Sequence, residues 1–132
     1  MQSNRQVDVI LQNNTQELLT VESCQTIFGS WAQSYAPRIG TAITKQGSGK
    51  WSTVSDFDDY QVGAYVRLGS TKGYIDIEWI LPKNAAEFQH SVQVPVDLRR
   101  QIRFVMASAS YRVMVITLLP AELIAELDAM PG

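Results

Sequence analysis

The sequence predicts an all-β fold, an antiparallel β-sandwich with a short C-terminal helix. Three observations predict it. Apolar residues alternate with polar ones over many short runs, the pattern of strands buried on one face. Clusters of Asn, Gly, Ser and Asp punctuate those runs as turns do. Helical spacing of apolar residues is confined to the tail beyond Pro120.

The elements follow in order. Val7, Val9 and Leu11 share one face of a first strand, with Asp8 and Gln12 pointing away. Asn13-Asn14-Thr15-Gln16-Glu17 reads as a turn joining it to the next strand, because Asn tolerates left-handed backbone angles and bonds its own main chain. The same residues contain Asn-x-Thr, a glycosylation acceptor that matters only in a secretory compartment. Leu19 and Val21 resume the alternation, and a run from Ile27 to Trp31 follows before Pro37-Arg38-Ile39-Gly40 breaks the pattern. Gly47-Ser48-Gly49 introduces the strand Trp51 to Val54. Ser55-Asp56-Phe57-Asp58-Asp59-Tyr60 is then a polar loop studded with aromatics.

Val62, Ala64, Val66 and Leu68 alternate with Tyr65 and Arg67, and Gly69 to Gly73 forms a hairpin loop. The next strand is the clearest: Ile75, Ile77 and Trp79 face in, Asp76 and Glu78 face water, and Pro82 ends it. Gln101 to Ala107 and Tyr111 to Leu119 are strands flanking Ser108-Ala109-Ser110. Val113 to Leu118 is apolar on both faces, so it is expected to lie centrally between two layers. Eight or more short strands at this spacing indicate a sandwich or barrel. Residues 1–119 form this domain. Residues 120–132 form a short helical tail packed on it or extending from it, with Pro120 in the first turn and Leu123, Ile124 and Leu127 on one face.

Composition narrows the function classes. A chain of 132 residues builds one domain with a modest core. Hydrophobic residues at 45% and charged residues at 18% suit a globular protein. The net charge of −2 provides no basic excess for a phosphate backbone, so nucleic acid is not expected as a partner. One cysteine, Cys24, rules out an internal disulfide. The N-terminus lacks the apolar stretch of a signal peptide and no run reaches the ~18 apolar residues of a membrane span. The expectation is a chain made in the cytoplasm and then released or stored as inclusions.

Catalytic patterns are missing. His90 is the sole histidine, no Gly-x-Ser-x-Gly surrounds a serine, and one histidine with one cysteine cannot close a zinc site. Gly47-Ser48-Gly49-Lys50 lacks the spacing of a phosphate loop. Asp56, Asp58 and Asp59 resemble half of a calcium loop, without its glycine and closing glutamate. Neither an enzyme nor a resident metal or cofactor is expected. The aromatics carry more information. Trp31, Tyr35, Trp51, Phe57 and Tyr60 fall at strand ends or in loops, and such amphipathic rings can lie at a membrane interface or cage a quaternary ammonium. Together with Asp56 and Asp59 they form the expected ligand-binding set.

The order of motifs resembles the aegerolysins, particularly their small bacterial insecticidal crystal-protein branch. "VDVILQNNTQELLTVES" resembles the family's first hairpin, and "FGSWAQSYAPRI" its Gly-x-Trp followed by Pro and an apolar residue. "WSTVSDFDDYQVGAYVRL" resembles the stretch in which Ser-Asn/Asp-Gly-Phe leads to Gly-x-Val/Ile-x-Tyr. "GYIDIEWILP" resembles the strand that closes in an aromatic, a short gap and Pro. The likeness covers about residues 7 to 82; Asp56 to Gln61 are bulkier and more acidic than the family's loop, and the segment after Pro82 differs. The resemblance implies an actinoporin-like sandwich that binds a membrane lipid and acts as a toxin component beside a larger pore-forming protein; a homo-oligomer is a separate expectation. A sugar-binding module of similar fold, and an assembly protein using a sheet edge and the tail, stay open beside it.

Overall fold

In a computed structural model, residues 5–55, 61–83 and 87–121 are described. Ten strands occur among them: β1 (Gln6–Asn13), β2 (Leu19–Phe28), β3 (Ser30–Trp31), β4 (Ala42–Ile43) and β5 (Ser48–Val54) come first. They are followed by β6 (Val62–Ser70), β7 (Gly73–Leu81), β8 (Gln89–Gln93), β9 (Leu98–Ser108) and β10 (Tyr111–Pro120). Two five-stranded sheets face each other, ordered β3-β5-β1-β10-β9 and β4-β2-β6-β7-β8. All pairs are antiparallel except β1 with β10, whose parallel register runs from Gln6 opposite Tyr111 to Asn13 opposite Leu118. The expected sandwich is therefore the fold.

The alternation read from the sequence selects the inner faces. Val7, Val9 and Leu11 of β1 and Met114, Ile116 and Leu118 of β10 lie fully buried against Val62 to Leu68 of β6 and Ile75 to Leu81 of β7. One polar tie crosses this apolar layer: Trp79 on β7 donates its indole N–H to the Thr53 hydroxyl on β5, 3.0 Å away.

Several elements are arranged differently from the sequence expectation. β1 and β2 are no hairpin, since β1 pairs with β5 and β10 while β2 pairs with β4 and β6 in the other sheet. The Asn13 turn is instead a crossover between sheets. The buried Asn13 side chain donates to the carbonyls of Glu17, Ile43 and Thr44 and accepts from the Thr15 amide and hydroxyl. Left-handed backbone plays no part there; the non-glycine residues with positive φ are Ser34 and Gln46. A fully buried Asn13 also has no room for a sugar. Only one face of β10 points between the layers, and Val113 and Val115 sit half-buried on the outside. Pro120 ends β10 opposite Leu98, Ala121 directly after it is helical, and the rest of the expected tail, residues 122–132, lies outside the described residues.

Gly29 carries the chain from β2 in one sheet to β3 in the other. Its φ is +79°, and a Cβ there would stand 2.5 Å from the Val54 carbonyl oxygen. Gly29→Ala is expected to cost about 2 kcal/mol through backbone strain and displacement of β3 from β5, read as a lower urea midpoint.

Candidate functional site

The residues expected to bind a ligand gather around β5 but not on one face. β5 turns Trp51 and Thr53 inward, leaving Trp51 only 5% exposed. Trp31 on β3 pairs opposite Thr53 and is half-buried, its ring edge-on to Trp79 with centres 6.0 Å apart. Tyr35 points the other way: its ring is 43% exposed beneath the Lys50 ammonium, 4.8 Å from the centroid. Trp51 forms part of the wall of a cavity of about 220 Å³ between β4 and β5, whose rim carries Arg38, Thr41, Ser48 and Lys50. Asp56, Phe57, Asp59 and Tyr60 lie outside the described residues. The chain enters that segment at Ser55, whose amide donates to the Arg5 carbonyl (3.0 Å), while the Arg5 guanidinium donates to the Pro82 carbonyl.

Next to Tyr35, the outer face of β1 holds a buried carboxylate. Asp8 accepts from the Ser52 hydroxyl (2.6 Å), the Gln6 amide (2.9 Å) and the Tyr111 hydroxyl, and Lys50 stands 3.9 Å away. Burial alone would push the Asp8 carboxyl up, but those donors and the Lys50 charge outweigh it and hold the group below the ordinary carboxylate range. The bond to Asp8, with burial, raises the Tyr111 phenol in turn. Every polar partner in this cluster is satisfied, so it braces the sheet instead of offering a reactive group.

A different surface is apolar and open to solvent. β8 and β9 are edge strands of opposite sheets, and near Leu98 and Val92 their side chains close the core. Toward the β9–β10 turn that closure fails. Phe104, Val105 and Met106 are 47%, 48% and 65% exposed. Phe104 packs edge-on against Phe88 (5.7 Å) and His90 (4.8 Å). With Met106, Arg112 and Val113 these rings wall a cavity of about 250 Å³ that is open to solvent and lined almost wholly by apolar atoms. The strand end is fixed by the Gln6 amide, which donates to the Ser110 carbonyl at 2.8 Å. Gln6 also pairs with Val54 and Tyr111 in the neighbouring strands, so β5 ends, at Val54, at the same end of the sandwich.

No family model matches the chain, and no curated protein does. Among solved structures, Nakanori, a lipid-binding protein, superposes with a TM-score of 0.66 over 88% of this chain and 71% of its own, at 10% identity. The two share a fold. The likeness is one of backbone architecture.

The sequence pattern alone does not single out Phe88, Phe104, Val105 and Met106 as a surface cluster. A signal was present: Phe104-Val105-Met106 breaks the polar–apolar alternation, so one of the three had to face solvent whichever way β9 turned. Among the described residues no three His, Cys, Asp or Glu side chains come together as a metal site, and no helix is long and apolar enough to cross a membrane.

Proposed function

We propose that this protein binds a membrane lipid, with the β9–β10 end as its contact surface. The observation that carries the reading is the contiguous exposed apolar stretch Phe104-Val105-Met106 beside an open aromatic-walled cavity. A surface of this kind gains by leaving water, and a bilayer interface accepts it without a shaped partner. The fold shared with a lipid-binding protein supports the direction by analogy. Trp31, Tyr35, Asp56, Phe57, Asp59 and Tyr60 are assigned to headgroup recognition beside that surface, by the chemistry of their side chains. In line with the aegerolysin resemblance, the protein serves as the lipid-recognising component of a toxin, beside a larger pore-forming protein.

Co-sedimentation with liposomes tests the reading. Wild-type protein is expected to sediment with at least one preparation from a panel of phosphatidylcholine, sphingomyelin–cholesterol and phosphatidylserine vesicles. Met106→Asp is expected to weaken that binding about tenfold or more, because it takes an exposed apolar side chain from the membrane-facing surface and sets a carboxylate in its place. Tyr35→Ala with Tyr60→Ala is expected to weaken it further; Trp51→Ala is a poor probe, since Trp51 is core. Wild-type protein that stays in the supernatant across the whole panel refutes lipid binding.

A second reading has its own observation. On the outer face of the second sheet, Tyr74 is 57% exposed at a cavity of about 430 Å³ bordered by Thr20, Glu22, Ser70 and Thr71. An exposed ring among hydroxyls and a carboxylate suits a pyranose, and a glycan array separates that activity from lipid binding.

A further inference from the structure

Charge is distributed unevenly along this chain. Arg99, Arg100, Arg103 and Arg112 fall between Leu98 and Ala121, and that stretch contains no aspartate or glutamate. The net charge is −2, so the rest of the molecule is correspondingly more acidic. The fold concentrates the asymmetry on one side. Three of the arginines lie on β9, the outermost strand of its sheet, and Arg112 pairs with Met106 across the β9–β10 ladder at the apolar cavity. β8, the adjoining edge of the other sheet, contributes His90 and no acid.

The arginines are presented outward. Arg99, Arg100 and Arg103 are exposed. Arg99 is tethered along the edge by its bonds to the carbonyls of Val96 (3.2 Å) and Leu98 (3.1 Å). Among the described residues, Arg100 and Arg103 have no carboxylate within ion-pair distance. The molecule thus places uncompensated guanidinium groups, Arg99 and Arg103 on the outer face of β9 and Arg100 on the other, along the same strand as its exposed apolar side chains.

We infer that the β8–β9 side selects anionic phospholipid headgroups, the arginines meeting phosphate and carboxylate while Phe104, Val105 and Met106 enter the interface. The inference rests on the lipid-binding reading and names its lipid class. Guanidinium suits phosphate because its planar fork donates two parallel bonds, and an arginine close to an anionic bilayer strengthens association about fivefold. The same charges argue against a second copy as the occupant. Two β9 edges joined side by side would bring their arginines together, and a charged edge strand resists such pairing.

The experiment uses the full chain and vesicles of phosphatidylcholine with and without phosphatidylserine, at low and high salt. Binding is expected to be at least tenfold tighter to the phosphatidylserine vesicles, with most of that preference lost at about 0.5 M salt, where charges are screened within a few ångströms. Arg100→Gln with Arg103→Gln is expected to lower affinity for the anionic vesicles about twentyfold without moving the unfolding midpoint, and Arg100→Lys with Arg103→Lys to retain most of it. Equal binding to both compositions, sensitive to Met106→Asp, overturns the headgroup selection and leaves lipid contact standing. No binding to either overturns both. A wild-type dimer in sedimentation equilibrium that Met106→Asp dissociates, with vesicle binding unchanged, shows the surface to be an interface between copies and also overturns the inference.

Discussion

Trp79→Ala is expected to destabilise the fold by about 4 kcal/mol, enough to remove a large part of the stability of a domain this size. Trp79 is fully buried on β7, opposite Ala64 of β6 on one side and His90 of β8 on the other. Three losses coincide in the alanine variant. The largest core side chain leaves a void that rigid strands on both sides fill poorly. The Thr53 hydroxyl loses the indole N–H that reaches it at 3.0 Å from the facing sheet. Trp31 loses the ring against which its edge packs. Trp79→Phe separates these effects, since it keeps most of the volume and removes the hydrogen bond, and it is expected to cost about 1–2 kcal/mol. Urea titration followed by far-ultraviolet circular dichroism measures both variants without relying on the altered fluorophore. A cost below ~1 kcal/mol for Trp79→Ala would mean that the sheets do not depend on this contact.

The same tryptophan shows how far the sequence could be read. Ile75, Ile77 and Trp79 alternate strictly with acids, so their inward direction followed from the period of two alone. In β5 the inward positions are Gly49, Trp51 and Thr53, a mixture in which no apolar stripe stands out. Trp51 therefore looked like a rim residue until the ladder with β1 fixed its face. β8 escaped notice because, of Gln89 to Gln93, only Val92 is buried. Periodicity also states which face a strand buries without naming its neighbour. Asn13 has the chemistry of a tight turn, yet it spends its side chain on a crossover, and the partner of β1 turns out to be β10, about a hundred residues away in the sequence. The exposed apolar surface needed one more fact, that β8 and β9 end their sheets, because only an edge position leaves Phe104 uncovered.

Asp8→Ala is expected to cost about 3 kcal/mol near neutral pH, and the cost should fade in acid. The carboxylate accepts from Ser52, Gln6 and Tyr111 and faces Lys50, so its removal strands several donors on β1, β5 and β10 at once. Its folded pKa lies below the ordinary value of 3.8 because these donors outweigh the opposing effect of burial. Unfolded chains then take up the proton more readily than folded ones. The stabilisation is complete above the ordinary value and is lost as the pH falls through the lower folded one. Asp76 on β7, lowered chiefly by its bond from Arg67, contributes in the same direction but is more exposed and better screened. Wild-type protein should therefore lose stability steeply below about pH 4, whereas Asp8→Ala should show a shallower acid limb and approach it at the lowest pH. Asp8→Asn retains one acceptor and no charge, and it is expected to fall between the two at neutral pH. Chemical denaturation at a series of pH values compares all three. Parallel curves for wild type and Asp8→Ala across the acid range would show that the Asp8 charge adds nothing to the joining of β1 and β10.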